Sequence, residues 1–145
     1  MPDDTVADDE YVLRRVPAAF CDESLTVPVQ RLAFRPAAGD TDGLSVYRER
    51  VIAPQQLLAV IPDEKKRAKY FVVRLAVRDI RGLGLTIVPT PDPVHHLPGH
   101  ASIREMNITD YHQNDGGNYK LCGDWQQELA KLASRDNIHR PPQKA

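Results

Sequence analysis

Residues 70–77 read YFVVRLAV, and the reading of this stretch decides the fold. Phe71, Val73, Leu75 and Val77 recur at every second position, so an extended chain gathers them on one apolar face. β-Branched and aromatic residues dominate, which favours a strand over a helix turn. Arg74 interrupts the run, so it is too short and too charged to cross a membrane. A strand with one continuous apolar face needs paired neighbours and a covering layer.

Upstream, Leu44–Arg48 (LSVYR) alternates in the same way, with Ser45 and Tyr47 on one face and Leu44 and Val46 on the other. Tyr11–Val16 (YVLRRV) is a third strand, and Val27–Phe34 a fourth with Pro28 near its start, as on a sheet edge. Between them, residues 36–43 (PAAGDTDG) form a turn-rich connection ending in Asp42-Gly43. Pro54 opens a short helix to about Val60, where a missing N–H costs nothing, and Pro62 stops it. Residues 63–69 (DEKKRAK) read as a solvated loop or helix end.

Downstream come strands at Leu85–Val88 and His100–Arg104, separated by a proline-rich loop over 89–98. Alternation sends Ala101 and Ile103 inward and gives His100, Ser102 and Arg104 the other face. Residues 114–118 (NDGGN) read as a turn. Asp124 is a candidate cap for a final helix, with Gln127 completing a capping box and Trp125, Leu129, Leu132 and Ala133 in one apolar stripe. There is no internal repeat. The expected fold is a single compact α+β domain. It has a mixed or antiparallel sheet of about six short strands, a C-terminal helix and one short internal helix. Its expected limits are 11–137, behind a disordered acidic leader (1–10) and ahead of a flexible tail (138–145).

With 145 residues, 41% hydrophobic and 27% charged, the composition is that of one globular domain with a real core. The formal charge of −1 is unevenly spread: residues 1–10 hold five carboxylates and no Lys or Arg, so the remainder carries +4. That suits a small phosphorylated ligand such as a nucleotide, and falls short of a nucleic-acid-binding footprint. The opening MPDDTVADDE lacks the basic and apolar regions of a secretory signal. Cys21 and Cys122 are isolated and read as reduced packing thiols. A cytoplasmic protein without membrane attachment is expected.

The chemistry-bearing residues fall into two groups. Residues 91–105 (PDPVHHLPGHASIRE) hold His95, His96 and His100 among prolines, a candidate imidazole metal site that would need His112 or Asp92 to complete it. The spacing matches no established metal motif, and a polar loop without metal is the expectation. Asp40 and Asp42 open like a calcium loop, but the twelfth position is Val51, so a tight turn explains them. Gly82, Gly84 and Gly99 form no phosphate-cradling loop. The second group is distributed. Arg14 and Arg15 are adjacent in a strand, so one of them faces the core whichever face that is, and there it demands a carboxylate or a bound anion. Ser45, Tyr47 and the polar strand from His100 to Glu105 follow.

This order, carried by YVLRRV, LSVYRERVIAPQQLL and YFVVRLAVRDIRGLGL over roughly residues 11–105, resembles the ADP-ribosyltransferase superfamily. It is most similar to the small bacterial RES-type domains that degrade NAD. The resemblance implies that Arg14 or Arg15 binds a phosphate or ribose of NAD, with Ser45 and His100 also lining the substrate. It implies Tyr47 stacked on the nicotinamide and Glu105 as the catalytic carboxyl group. NAD would be a substrate, with no tightly bound cofactor. The competing expectation is a non-catalytic accessory domain that holds a partner protein by a sheet edge, the acidic leader or the final helix.

Overall fold

The computed structural model describes residues 5–36, 40–107 and 117–139. Its centre is a six-stranded antiparallel sheet in the order β4-β5-β2-β1-β3-β6. The strands are β1 (Tyr11–Pro17), β2 (Leu44–Arg48), β3 (Tyr70–Ala76), β4 (Ile87–Pro89), β5 (His100–Ile103) and β6 (Ile138–His139). The helices are α1 (Pro54–Ala59), α2 (Glu64–Arg67), α3 (Val77–Gly82) and α4 (Gly117–Leu132). The expected α+β class holds, and YFVVRLAV supplies β3, which lies next to the sheet's edge strand rather than at its centre.

β3 pairs with β1 along its whole length, from Tyr11 opposite Ala76 to Pro17 opposite Tyr70. Pairing of β1 with β2 is limited to Val12 opposite Arg48 and Leu13 opposite Tyr47. β2 pairs on its other side with β5, placing Ser45 opposite Ser102 and Tyr47 opposite His100. Alternation then sorts two cores. Val12, Val16, Leu44, Val46, Val73, Leu75, Ala101 and Ile103 lie on one face, and Val77, Ile80, Leu129 and Ala133 belong to the same buried cluster. The opposite face is smaller: Leu13, Tyr47 and Val72 pack with Ile52, Leu57 and Leu58 on and before α1, and with Leu97 of the proline loop.

Several sequence expectations are corrected. Val27–Phe34 is not a strand. Val29 makes a single bridge to Cys21, and Arg31–Phe34 is a 3-10 turn. Its buried residues fall in adjacent pairs, Pro28 with Val29 and Ala33 with Phe34, rather than in alternation. Val77 ends no strand. It starts α3, whose apolar residues Val77 and Ile80 are one turn apart. Residues 63–69 contain the short helix α2, capped by the Asp63 side chain accepting from the Lys65 N–H at 2.9 Å. The last helix already runs from Gly117, so Asp124 and Gln127 lie inside it and cap nothing. Arg104 and Glu105 leave β5 for a 3-10 turn.

The described residues 5–10 and 138–139 are joined to the domain. Val6 is fully buried, and Arg81 of α3 clasps the Val6 carbonyl and the Asp8 carboxylate. Glu10 takes a two-pronged bond from Arg48, at 2.8 Å to each oxygen, and accepts from the Ala7 N–H at 2.7 Å. The Arg48 bond holds the Glu10 carboxyl below its ordinary range, against the opposing effect of burial. At the other end Ile138–His139 adds a strand to β3, with Val73 opposite Ile138. Among the described residues no helix is long and apolar enough to cross a membrane.

Candidate functional site

Residues opposite one another in antiparallel strands share a face, so β1, β2 and β5 place Arg15, Ser45, Tyr47, His100 and Ser102 on the side of the smaller core. The loop over 90–99 folds across them, and Asp92 anchors it. One Asp92 oxygen accepts the N–H groups of Val94 and His95, both at 3.0 Å. The other accepts the Leu97 N–H at 3.2 Å and the Tyr47 hydroxyl at 2.8 Å. Asp92 is only 5% exposed. Burial opposes its ionisation, but the His95 N–H, the Tyr47 hydroxyl and the other two amides outweigh it and hold the carboxyl down at about 2. Burial, and then the bond to Asp92, push the Tyr47 phenol well above its ordinary range.

Beside this anchor sits Arg15. Its guanidinium donates to the Leu57 carbonyl at 3.1 Å and approaches His95 Nε2 at 3.3 Å, with the Tyr70 ring 6.0 Å away. Among the described residues no carboxylate pairs with it. On the far side of Tyr47, the His100 ring meets the tyrosine edge-on at 5.1 Å between centroids. His100 Nε2 lies 3.1 Å from Ser45 Oγ, and Ser45 Oγ donates to Asp40 at 2.7 Å. His100 Nδ1 lies 2.9 Å from Thr90 Oγ1, which is 2.7 Å from Ser102 Oγ. Asp40, His100 and Ser102 are all buried.

Comparison of the chain with protein-family models, with curated proteins and with solved structures returns no match. The residues must therefore speak for themselves.

Of the distributed set, Arg15, Ser45, Tyr47 and His100 come together. Arg14 does not. It points to the larger core and donates to three carbonyls: Ala33 and Ser45 at 2.8 Å and Arg35 at 3.5 Å. Burial lowers its pKa, with nearby Asp40 opposing. The expected demand for an anion is met by main-chain oxygens where β1 and β2 stop pairing. Glu105 also lies apart: its two oxygens accept the Thr86 N–H at 2.7 Å and the Thr86 hydroxyl at 2.6 Å. The histidines diverge, His95 towards Arg15, His100 into the hydroxyl chain, and His96 to the surface at a left-handed φ of 52°. Among the described residues no three His, Cys, Asp or Glu side chains gather as a metal site. His112 and the Cys122 side chain lie outside the described residues, and Cys21 is partly buried.

Sequence reading missed Asp92 as an anchor, Asp40 as a hydrogen-bond terminus and Thr90 altogether. Asp92 carried one usable signal, an aspartate followed by Pro93, where side-chain capping of the next amides is favoured. Nothing local marks Thr90, because its partner His100 is brought to it by the β4–β5 pairing.

Proposed function

We propose that the chain is an NAD-directed enzyme of the ADP-ribosyltransferase-like type, working in the cytoplasm, with its site on the Arg15–Tyr47–His100 face. What carries this reading is Arg15. It is half-buried, has no carboxylate partner among the described residues, and shares a face with Tyr47 and an ionised Asp92. A guanidinium so placed suits a pyrophosphate, which it binds through two parallel N–H bonds. Breaking the bond from ribose to nicotinamide develops positive charge on the sugar, and a fixed carboxylate stabilises it. The carboxylate on this face is Asp92, whereas Glu105 lies apart from it beside Thr86. Tyr47 is 7% exposed, so substrate reaches it when the loop over 90–98 lifts.

The test is nicotinamide release from NAD, beside calorimetric NAD binding. Release should fall at least tenfold in Arg15→Gln and stay near wild type in Glu105→Gln. Folded protein that neither binds NAD nor releases nicotinamide overturns the reading.

One observation favours a partner-binding domain instead. Leu25, Val27 and Leu32 are 40–47% exposed, and Val27 and Leu32 border a groove of about 460 Å³ against Ala130 of α4. Exposed apolar clusters of this kind mark docking surfaces. Protein without affinity for NAD that binds an apolar dye, and loses it in Leu32→Asp, would favour this second reading.

A further inference from the structure

The hydroxyl chain that ends at Asp40 has a fixed direction. A carboxylate only accepts, so the Ser45 hydroxyl, 2.7 Å from Asp40 Oδ1, must donate to it. Ser45 Oγ then accepts from His100, which puts the ring proton on Nε2, 3.1 Å away. In the neutral ring Nδ1 then carries the lone pair, and the Thr90 hydroxyl at 2.9 Å can donate into it. Ser102 Oγ, 2.7 Å from Thr90 Oγ1, donates in turn to Thr90. One carboxylate thus orients four groups across three strands and their flanks. Ser45 and Thr90 are both partly exposed, but Ser45 is committed to Asp40, whereas Thr90 is hydrogen-bonded to a base whose other nitrogen is held by a third group, the arrangement of an activated nucleophile.

The surroundings say what electrophile would fit. Thr90 and His100 line a cleft of about 470 Å³ whose other walls include Val51, Pro89, Pro91, Leu97 and Pro98. Its one charged lining residue, Arg48, is already bound at both prongs by Glu10. Such a cleft offers a phosphate no uncommitted cation and accepts a small neutral acyl group. We propose that Thr90 is a catalytic nucleophile towards esters of small uncharged acids, with His100 as its base and Ser45 and Asp40 as positioning residues.

In the acylation step Thr90 Oγ1 forms a bond to the ester carbonyl carbon as its proton passes to His100 Nδ1. The tetrahedral adduct then breaks its bond to the alcohol oxygen, which leaves with the proton from Nδ1. Water repeats the sequence on the acyl-threonine, releasing the acid and restoring the hydroxyl. The Thr90 carbonyl lies 3.2 Å from Nδ1, where it can accept a hydrogen bond only once that nitrogen has taken the proton. The proposal uses neither Arg15 nor NAD and stands or falls apart from that reading.

The probe is 4-nitrophenyl butyrate, whose good leaving group makes the smallest demand on oxyanion stabilisation. A burst of nitrophenol should accompany one butyryl group on the peptide carrying Thr90, seen by mass spectrometry. Thr90→Val should abolish both in protein that circular dichroism shows to be folded, and Thr90→Ser should restore them. Ser45→Ala should lower the acylation rate at least tenfold while KM stays within threefold. Nitrogen NMR of the resting protein should show His100 neutral with its proton on Nε2. Acylation confined to lysines, a burst that survives Thr90→Val, or a proton found on Nδ1 would each overturn the proposal.

Discussion

At the scale of single residues, Asp92 is the group on which most depends. It joins four donors from the loop and from β2, and its carboxyl sits near 2 rather than near the ordinary 3.8. A depressed folded-state pKa contributes stability that is complete above the unfolded value and disappears as pH falls towards the folded one. The contribution is about 2 kcal/mol, lost between roughly pH 5 and pH 2. Glu10, also lowered by its bond to Arg48, titrates in the same direction. Urea unfolding of wild type and Asp92→Asn at pH 7 and pH 3 checks this. The variant should be weaker at pH 7, and the gap should narrow at pH 3. A gap independent of pH would show that the charge is irrelevant. Sequence alone could place Tyr47, Ser45 and Arg15 on strand faces, because alternation is local. It could not foresee that Asp92 would meet Tyr47 from 45 positions away, since long-range pairing leaves no trace in spacing.

Among the elements, β3 is the one whose packing follows most directly from its letters. Val73 and Leu75 are at most 2% exposed and face the larger core, while Phe71 is partly covered at the strand's start. Leu75→Ala should cost about 2–5 kcal/mol in denaturant unfolding, with little change in slope. A cost below about 1 kcal/mol would mean that the surrounding core closes over the vacancy. β1, β2, α1 and β5 were legible for the same reason: period-two runs, or a helix opened by proline. The misread elements share a physical cause. Residues 31–34, α3 and α2 are each a single turn or little more, too short for a 3.6-residue period to declare itself. β6 has two residues and exists because β3 offers an open edge. The expected start of α4 at Asp124 lies seven residues past Gly117, because a helix can carry an exposed aspartate anywhere along its outer face and not only at a cap.

For the whole molecule, the order β4-β5-β2-β1-β3-β6 puts an early segment in the middle of the sheet. Its long partnership is with β3, whose paired residues are 53–65 positions away. Closing such loops costs chain entropy before any pairing repays it. Refolding followed by stopped-flow fluorescence of Trp125 should therefore have its main phase between about a millisecond and about a second. A dominant microsecond phase would show that local helices, not the sheet, limit the rate. The central position of β1 bears also on synthesis. A ribosome adding about 5–20 residues per second takes roughly 3–12 s to travel from Pro17 to Ala76. Throughout that interval the nascent YVLRRV segment lacks a complete β3, the neighbour with which it pairs along its whole length. Its paired arginines, one destined for each face, keep the waiting strand charged on both sides and so poorly suited to stacking with strands emerging from adjacent ribosomes.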